Sequence, residues 1–234
     1  MGFADLHIHT FYSYDGTASV SDVLGRAKLI GLDVIAITDH DEINGSLKAL
    51  DLASQIDMEV IPGVEVTTAE GDLLALNVTK LVERGRPLIE TVLAVKDLGG
   101  FCIAPHPMAG GFGMKSLTSY SIMKALRNHE VAQTLIGIET FNATALDKMS
   151  NQYASILGEH LKIAKLGNSD AHILKTIGMG MTEFKGHTAD DLLKAIRKGE
   201  TTIHKKKQWT SVHILGSWAA NYIGSAFTRL ANVA

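Results

Sequence analysis

The sequence predicts an α/β fold closed into one β/α barrel, and three observations carry that expectation. Short apolar runs alternate with longer stretches of helical period almost to the C-terminus, no Pro- or Ser-rich linker or internal repeat divides them, and histidines and carboxylates recur where the apolar runs end. A β/α rhythm of roughly seven or eight strands without a linker favours a single barrel over two open sheets. In a parallel barrel the strand ends meet on one rim, where sites are assembled from several strands at once.

The first apolar run, residues 4–10, reads as a strand, and residues 20–32 follow as a helix. Val20, Val23, Leu24, Ala27 and Ile30 share a face there, Ser19 and Asp22 suit a capping box, and Gly31 suits a stop. Residues 34–37 are a second strand. Further helices are expected at 45–55, 87–98, 119–128, 145–158 and 189–198; Pro87 and Gly99 punctuate the second of these as start and stop residues do. Interleaved strands are expected at 59–64, 73–78, 101–104, 135–141, 162–166 and 179–184. Barrel residues therefore run from 1 to 204.

The tail, 205–234, departs from this rhythm. Residues 208–228 contain no Asp, Glu, Lys or Arg and follow directly on Lys205-Lys206-Lys207, which raises the question of a membrane anchor. Gln208, Thr210, Ser211, His213, Ser217, Asn221 and Ser225 make it too polar for a comfortable span. Val212, Leu215, Trp218, Tyr222, Ile223, Ala226, Phe227 and Leu230 recur at helical spacing instead, and Gly216, Ala220 and Gly224 form a small-residue row. An amphipathic helix packed on the barrel or on the partner subunit of a homo-oligomer is the expectation, with membrane association the alternative.

Composition bounds the function. With 46% hydrophobic and 20% charged residues in 234, disorder and disulfide scaffolds are excluded. A formal charge of -3 supplies no global field toward nucleic acid or an anionic membrane. The single cysteine, Cys102, has no partner, which points to a reducing, cytoplasmic setting, and nothing at the N-terminus reads as a secretory signal.

The ionisable residues carry the chemistry. His7-Ile8-His9 puts two imidazoles at i and i+2 on one strand face, so that both can reach one ion. Asp39-His40 and the run Asn168-Ser169-Asp170-Ala171-His172 each close a strand, Glu65 and His106 follow apolar runs, and Glu139 lies in Ile136-Gly137-Ile138-Glu139. Taken singly, any of them is an ordinary polar loop residue. Gathered together, carboxylates would repel and raise one another's pKa unless cations intervened, so roughly two or three divalent ions are expected.

The motifs His7-x-His9-Thr10, Tyr14-Asp15-Gly16, Thr38-Asp39-His40-Asp41, Pro62-Gly63-Val64-Glu65, Ala104-Pro105-His106-Pro107 and Asn168-Ser169-Asp170-Ala171-His172 resemble, in the same order, those of the polymerase-and-histidinol-phosphatase (PHP) family. The resemblance spans about residues 4–200. It implies a distorted seven-stranded TIM-like β/α barrel, (β/α)7, with a metal cluster at the C-terminal rim of the strands and a phosphoester-hydrolysing activity. Carried over, His7, His9, Glu65 and Asp170 hold a first metal; Glu65 bridges to a second, also held by His106; Asp15, His40 and His172 hold a third.

Where relatives usually read Gly-His-Leu-Leu-Ala-Leu, this chain has Gly71-Asp72-Leu73-Leu74-Ala75-Leu76. As an oxygen ligand Asp72 would favour manganese, iron or magnesium over zinc; as a turn residue after Gly71 it would bind nothing. Asp39 and Glu139 suit the orientation of histidines or coordinated water.

The expected reaction is attack of a metal-bridging hydroxide on a phosphate ester of a small metabolite or nucleotide, with Asp170, Glu65, His172 and Asp39 as candidate catalytic residues. Lys115 and Lys175 are candidates for the phosphate oxygens, with plain solvation as the alternative. The glycine-rich residues 110–113 could serve as a lid, approach phosphate through their backbone, or be an ordinary loop. A nuclease is the nearest rival, disfavoured by the absence of a basic stripe and by 6% aromatic residues. A non-catalytic metal- or ligand-binding module is the rival of another class, and an amidohydrolase-type enzyme shares only the His-x-His start.

Overall fold

The computed structural model describes residues 1–110, 115–206 and 209–226. Ten strands and eight helices follow one another as β1 (Gly2–Ile8), α1 (Val20–Leu29), β2 (Val34–Ile37), α2 (Asn44–Ile56), β3 (Glu59–Val60), β4 (Gly63–Thr67), β5 (Asp72–Leu76), α3 (Leu88–Asp97), β6 (Phe101–Ala104), α4 (Ser119–Ala125), α5 (His129–Thr134), β7 (Leu135–Asn142), α6 (Lys148–His160), β8 (Ala164–Asn168), β9 (Gly180–Phe184), α7 (Ala189–Lys198), β10 (Thr202–Lys205) and α8 (Ser211–Gly224). Ser19, Thr118, Asn128, Asp147, Thr188 and Thr210 each cap the helix that follows with a side-chain oxygen.

The expected single closed barrel is not what the strand pairing shows. Two five-stranded sheets form, ordered β10-β9-β1-β2-β3 and β4-β5-β6-β7-β8. Nor is the pairing all parallel, since β5 runs against β4 and β6, and β9 against β1 and β10. The two sheets face each other across a core in which Ala4, Leu6, Val34 and Ala36 meet Leu74, Leu76, Ile103 and Leu166, while Leu192 and Ile196 of α7 belong to the same cluster.

At the seams, side chains take hydrogen bonds that a ladder would otherwise make. Asn168 Oδ1 accepts from Leu6 N at 2.9 Å, Asp5 Oδ1 accepts from Ser169 N at 3.0 Å, and Thr182 Oγ1 both accepts from Gly167 N and donates to its carbonyl. Isolated bridges Ile8 to Ala171 and His40 to Glu65 are the only backbone pairing there outside the named strands, among the described residues. Every buried backbone group still needs a partner, and here the partner is a side chain.

Three other differences from expectation have local causes. The strand expected at 59–64 is broken at Pro62, which has no N–H to give a ladder. The helix expected at 119–128 ends at Ala125, and Asn128 starts a second one by accepting from Glu130 N and Val131 N. β10 was not expected; it pairs antiparallel with β9 from Thr202 to Lys205.

The register of β1 against β2 shifts between Asp5 and Ile8, leaving one extra residue on β1. Ala4 and Leu6 point into the inter-sheet core, whereas Ile8 packs with Ile35 and Ile37 on the helix-covered side. The bulge therefore inverts the alternation, and His7 and His9 turn inward above Leu6.

α8 lies against the rim of the sheets. Ser211 Oγ donates to the Leu146 carbonyl at 2.7 Å and Trp218 Nε1 to the Asp15 carbonyl at 2.9 Å. The inward face shares Leu215 and Trp218 with the stripe read from the sequence but is rotated from it: Ile214 is buried, while Val212 and Ile223 are 82% and 75% exposed. Phe227 and Leu230 lie outside the described residues. No described helix is long and apolar enough to cross a membrane.

Candidate metal centre

His7 and His9 converge as their spacing implies. Each Nε2 approaches both Glu65 Oε2 and Asp170 Oδ1, at 3.1 and 3.3 Å from His7 and at 3.3 and 3.2 Å from His9. Glu65, fully buried in β4, also meets His106 Nε2 at 3.0 Å and His40 Nδ1 at 3.2 Å. Asp15 Oδ2 stands 3.2 Å from His172 Nε2 and 3.5 Å from His40 Nε2. Ligand atoms fall into three groups whose members all lie within 4.8 Å of one another: His7, Glu65 and His106; His7, His9 and Asp170; His9, Asp15, His40 and His172.

Backbone strain marks the same place. His106 and Asp170 have φ of 27° and 54°, a region that side-chain-bearing residues rarely adopt. Both are held by the fold around them: His106 N donates to Glu139 Oε2 at 2.8 Å, and Asp170 Oδ2 accepts from Asn142 Nδ2 at 3.1 Å.

Glu139 is the hub behind the cluster. Its Oε1 accepts from Asn168 Nδ2 at 2.8 Å and pairs with His7 Nδ1 at 2.9 Å; its Oε2 takes His106 N and Asn142 Nδ2. A proton on His7 Nδ1 leaves the Nε2 lone pair for an ion. Asp39 has a different task. It accepts from Thr10 N and Thr10 Oγ1 at 2.6 and 2.7 Å, fastening the turn after β1 rather than a histidine. Ser13 Oγ donates to Asp15 Oδ1, and Ser116 Oγ meets His106 Nδ1 at 3.1 Å. Asn142, Ser13 and Ser116 were missed in the sequence, where a lone serine or asparagine carries no signal; only Asn142, three residues after Glu139 at a strand end, offered one.

Asp72 is neither a turn residue nor a member of the three groups. It is the first residue of β5, and because β5 runs backwards its first residue sits at the same rim as the ends of the parallel strands. Oδ2 accepts from Lys115 N at 3.2 Å, and Oδ1 is buried without a hydrogen-bond partner. Burial and the nearby Glu65 push its pKa up to about 6.

The electrostatics are those of a closely packed cage. Burial disfavours the charged forms of His7 and His40, yet neighbours of opposite sign outweigh it: His7 is raised well above its ordinary value by Asp170, Glu65 and Glu139, and His40 rises to about 10 beside Glu65 and Asp15. Glu65, Asp15 and Asp170 are held below the carboxylate range by the facing imidazoles. The raised values of His7, His40, His106 and His172 favour their protonated forms beside the acids, and a divalent ion would compete with those protons. His9 Nε2, buried and out of line for a hydrogen bond to the two carboxylates beside it, is an atom that such an ion would satisfy. The mixed imidazole and carboxylate donors fit divalent metals.

The cluster floors a cavity of about 410 Å³. Asp15, His40, Glu65, His106, Asp170 and His172 form its polar side, and Leu146, Ile173, Ile214, Leu215 and Trp218 its apolar side. Lys115 and Lys175 are exposed, and neither lines it. Residues 111–114, which include most of the expected glycine-rich lid, lie outside the described residues. A larger open cleft of about 820 Å³, flanked by Lys96, Lys162 and Arg197, has no histidine or carboxylate in its lining and offers no comparable chemistry.

Comparison with known proteins finds relatives of the whole fold. The family model described as PHP domain matches residues 5–207. An uncharacterized protein of Methanocaldococcus jannaschii is 34% identical over 161 residues, 64% of this chain and 88% of that one. A 5'-3' exoribonuclease of Haemophilus influenzae is 28% identical over 204 residues, 86% of this chain and 64% of the exoribonuclease. Among solved structures, a two-domain Bacteroides vulgatus protein described as containing a PHP-like metal-dependent phosphoesterase superposes with a TM-score of 0.68 at 19% identity, covering 87% of this chain and 64% of that one. The chain thus spans just under two thirds of the last two, and only 7% of an error-prone DNA polymerase of Symbiobacterium thermophilum to which 80 of its residues are 32% identical.

Proposed function

The chain belongs to the PHP domain family, and on that premise we propose that it hydrolyses the phosphate ester of a small molecule with divalent metal ions. One observation carries the reading: a fully assembled histidine and carboxylate cage forms the floor of a roofed cavity sized for a small ligand. His7, His9, Glu65 and Asp170 would hold one ion, Glu65 and His106 with Asp72 alongside a second, and Asp15, His40 and His172 a third. Bound there, divalent ions supply charge neutralisation for the phosphoryl oxygens and a hydroxide nucleophile at neutral pH.

The remaining steps fall to the chain. Glu139 fixes the tautomer and ring plane of His7, Asn142 aims Asp170, and Asp39 holds the Thr10 turn from which the Ser13 and Asp15 segment departs. No lysine or arginine lines the cavity among the described residues, so the charge of the phosphate is left to the cage. The buried free thiol of Cys102 supports a reducing, cytoplasmic setting.

A nuclease is the second reading, favoured by the likeness to the exoribonuclease. Against it, α8 lies over the cavity where a polymer would need an open groove. The two separate in one experiment with manganese supplied: release of inorganic phosphate from nucleoside monophosphates and sugar phosphates, set against shortening of a labelled oligonucleotide. Phosphate release is expected, and shortening alone overturns the proposal. A panel in which wild type does no better than Asp170→Ala would make the chain a non-catalytic binding module.

A further inference from the structure

The uncharged tail is the feature that metal chemistry does not use. Residues 208–228 lack any ionisable acid or base other than His213 and Tyr222, and the described part of this segment forms α8 above the cage. The roof is fastened at two points, Ser211 to the Leu146 carbonyl and Trp218 to the Asp15 carbonyl. Ile214, Leu215 and Trp218 of α8, with Leu146 and Ile173, supply the apolar part of the cavity lining. Tyr14, stacked on His40 at 5.1 Å between ring centroids, adds a second aromatic face to the same cavity.

Resting on the phosphoesterase reading, we infer that the alcohol half of the substrate is an uncharged, flat, apolar group of the aryl class, seated against α8 with Trp218 as its specificity-determining contact. Polar alternatives fit poorly. The two threonine hydroxyls in the lining have already given their protons, Thr144 to the Asp170 carbonyl and Thr176 to the Ile173 carbonyl, both at 2.9 Å, so neither can donate to a substrate oxygen. A sugar would therefore press hydroxyls on a wall that offers them little in return. A second anionic group on the substrate would meet no lysine or arginine among the described lining residues. A flat ring instead gains apolar burial and the offset stacking that aromatic faces favour. The low-dielectric roof also strengthens the attraction between the cage and the one phosphate it holds.

Calorimetric binding of phenylphosphonate and methylphosphonate to the metal-loaded full chain tests this, because the two share a head group and neither can be hydrolysed. Phenylphosphonate is expected to bind at least about tenfold tighter, about 1.4 kcal/mol. Trp218→Ala should bring the ratio of the two affinities toward one. So should Leu215→Ala, which leaves the tie to Asp15 in place; the ratio cancels any effect on the head group common to both ligands. Equal binding by wild type, or a ratio undiminished in both variants, overturns the inference and leaves the phosphoesterase reading standing. Binding of neither phosphonate overturns both.

Discussion

Replacing Glu139 by glutamine keeps the shape of the side chain and removes its charge and one of its two acceptor atoms. Four donors face this carboxylate: His7 Nδ1 and Asn168 Nδ2 on one oxygen, His106 N and Asn142 Nδ2 on the other. Whichever way the amide turns, its NH2 meets two of them. If the carbonyl stays with His7, the His106 N–H loses its acceptor at a residue already strained at φ 27°. Glu139 is 1% exposed, so water does not substitute. Each orphaned buried donor costs about 1–3 kcal/mol, which puts the loss at about 2–6 kcal/mol for the pair. For a domain of this size that lowers the melting temperature by about 4–24 °C. Loosening of His7 and His106 should weaken metal binding by about 10–100-fold as well. Thermal unfolding in excess chelator reads the first effect, and a metal titration of the folded protein at low temperature reads the second. A variant melting within about a degree of wild type, with unchanged metal affinity, would refute the role given to Glu139.

Other perturbations have equally definite outcomes. Gly45→Ala should destabilise by about 1–3 kcal/mol despite alanine's better helix propensity, because its Cβ would stand 2.2 Å from Asp39 Oδ2; an unchanged urea midpoint would contradict the Asp39 clamp. Without metal, the raised pKa of His40 contributes stability that is complete below about 6.5 and is lost as pH rises through about 10. Asp15, Glu65 and Asp170, lowered, contribute stability that is present above their ordinary range near 4 and lost in acid. Chelated protein should accordingly melt lower at pH 9.5 than at pH 6, whereas metal-loaded protein should not follow this fall, since neutral imidazoles bind metal better. Asp72→His should raise the share of zinc retained after equilibration with equal zinc and manganese, measured by elemental analysis; an unchanged share would remove Asp72 from the second ion's surroundings.

What could be read from the chain was whatever chemistry concentrates at strand ends. The i, i+2 spacing of His7 and His9 and the short motifs around Asp15, His40, Glu65, His106 and Asp170 named the groups that converge. Pairing across the seams was not legible, because it depends on Asp5, Asn168 and Thr182 meeting backbone groups far away in sequence. Asp72 could be placed at the rim beside the cage, and not in a turn, only once the reversed direction of β5 was known. The apolar face of α8 was legible only in part, for a similar reason: periodicity gives a stripe, and the neighbouring surface decides which edge of it is inward, here the edge of Leu215 and Trp218, joined by the unread Ile214, and not that of Val212 and Ile223. Lys115 and Lys175 show the weakness of reading function into a loop lysine by position alone.

The extra residue in β1 divides that strand into two halves of opposite phase. Below it, exchanges among small and branched aliphatics answer to the core between the sheets and leave the imidazoles where they are. Above it, the same kind of exchange rotates no ligand. Deleting Leu6 would remove the extra residue and set Asp5, His7 and Ile8 opposite Ile35, Ala36 and Ile37 in plain alternation; both histidines would keep their side of the sheet, and the loss would fall on the core between the sheets.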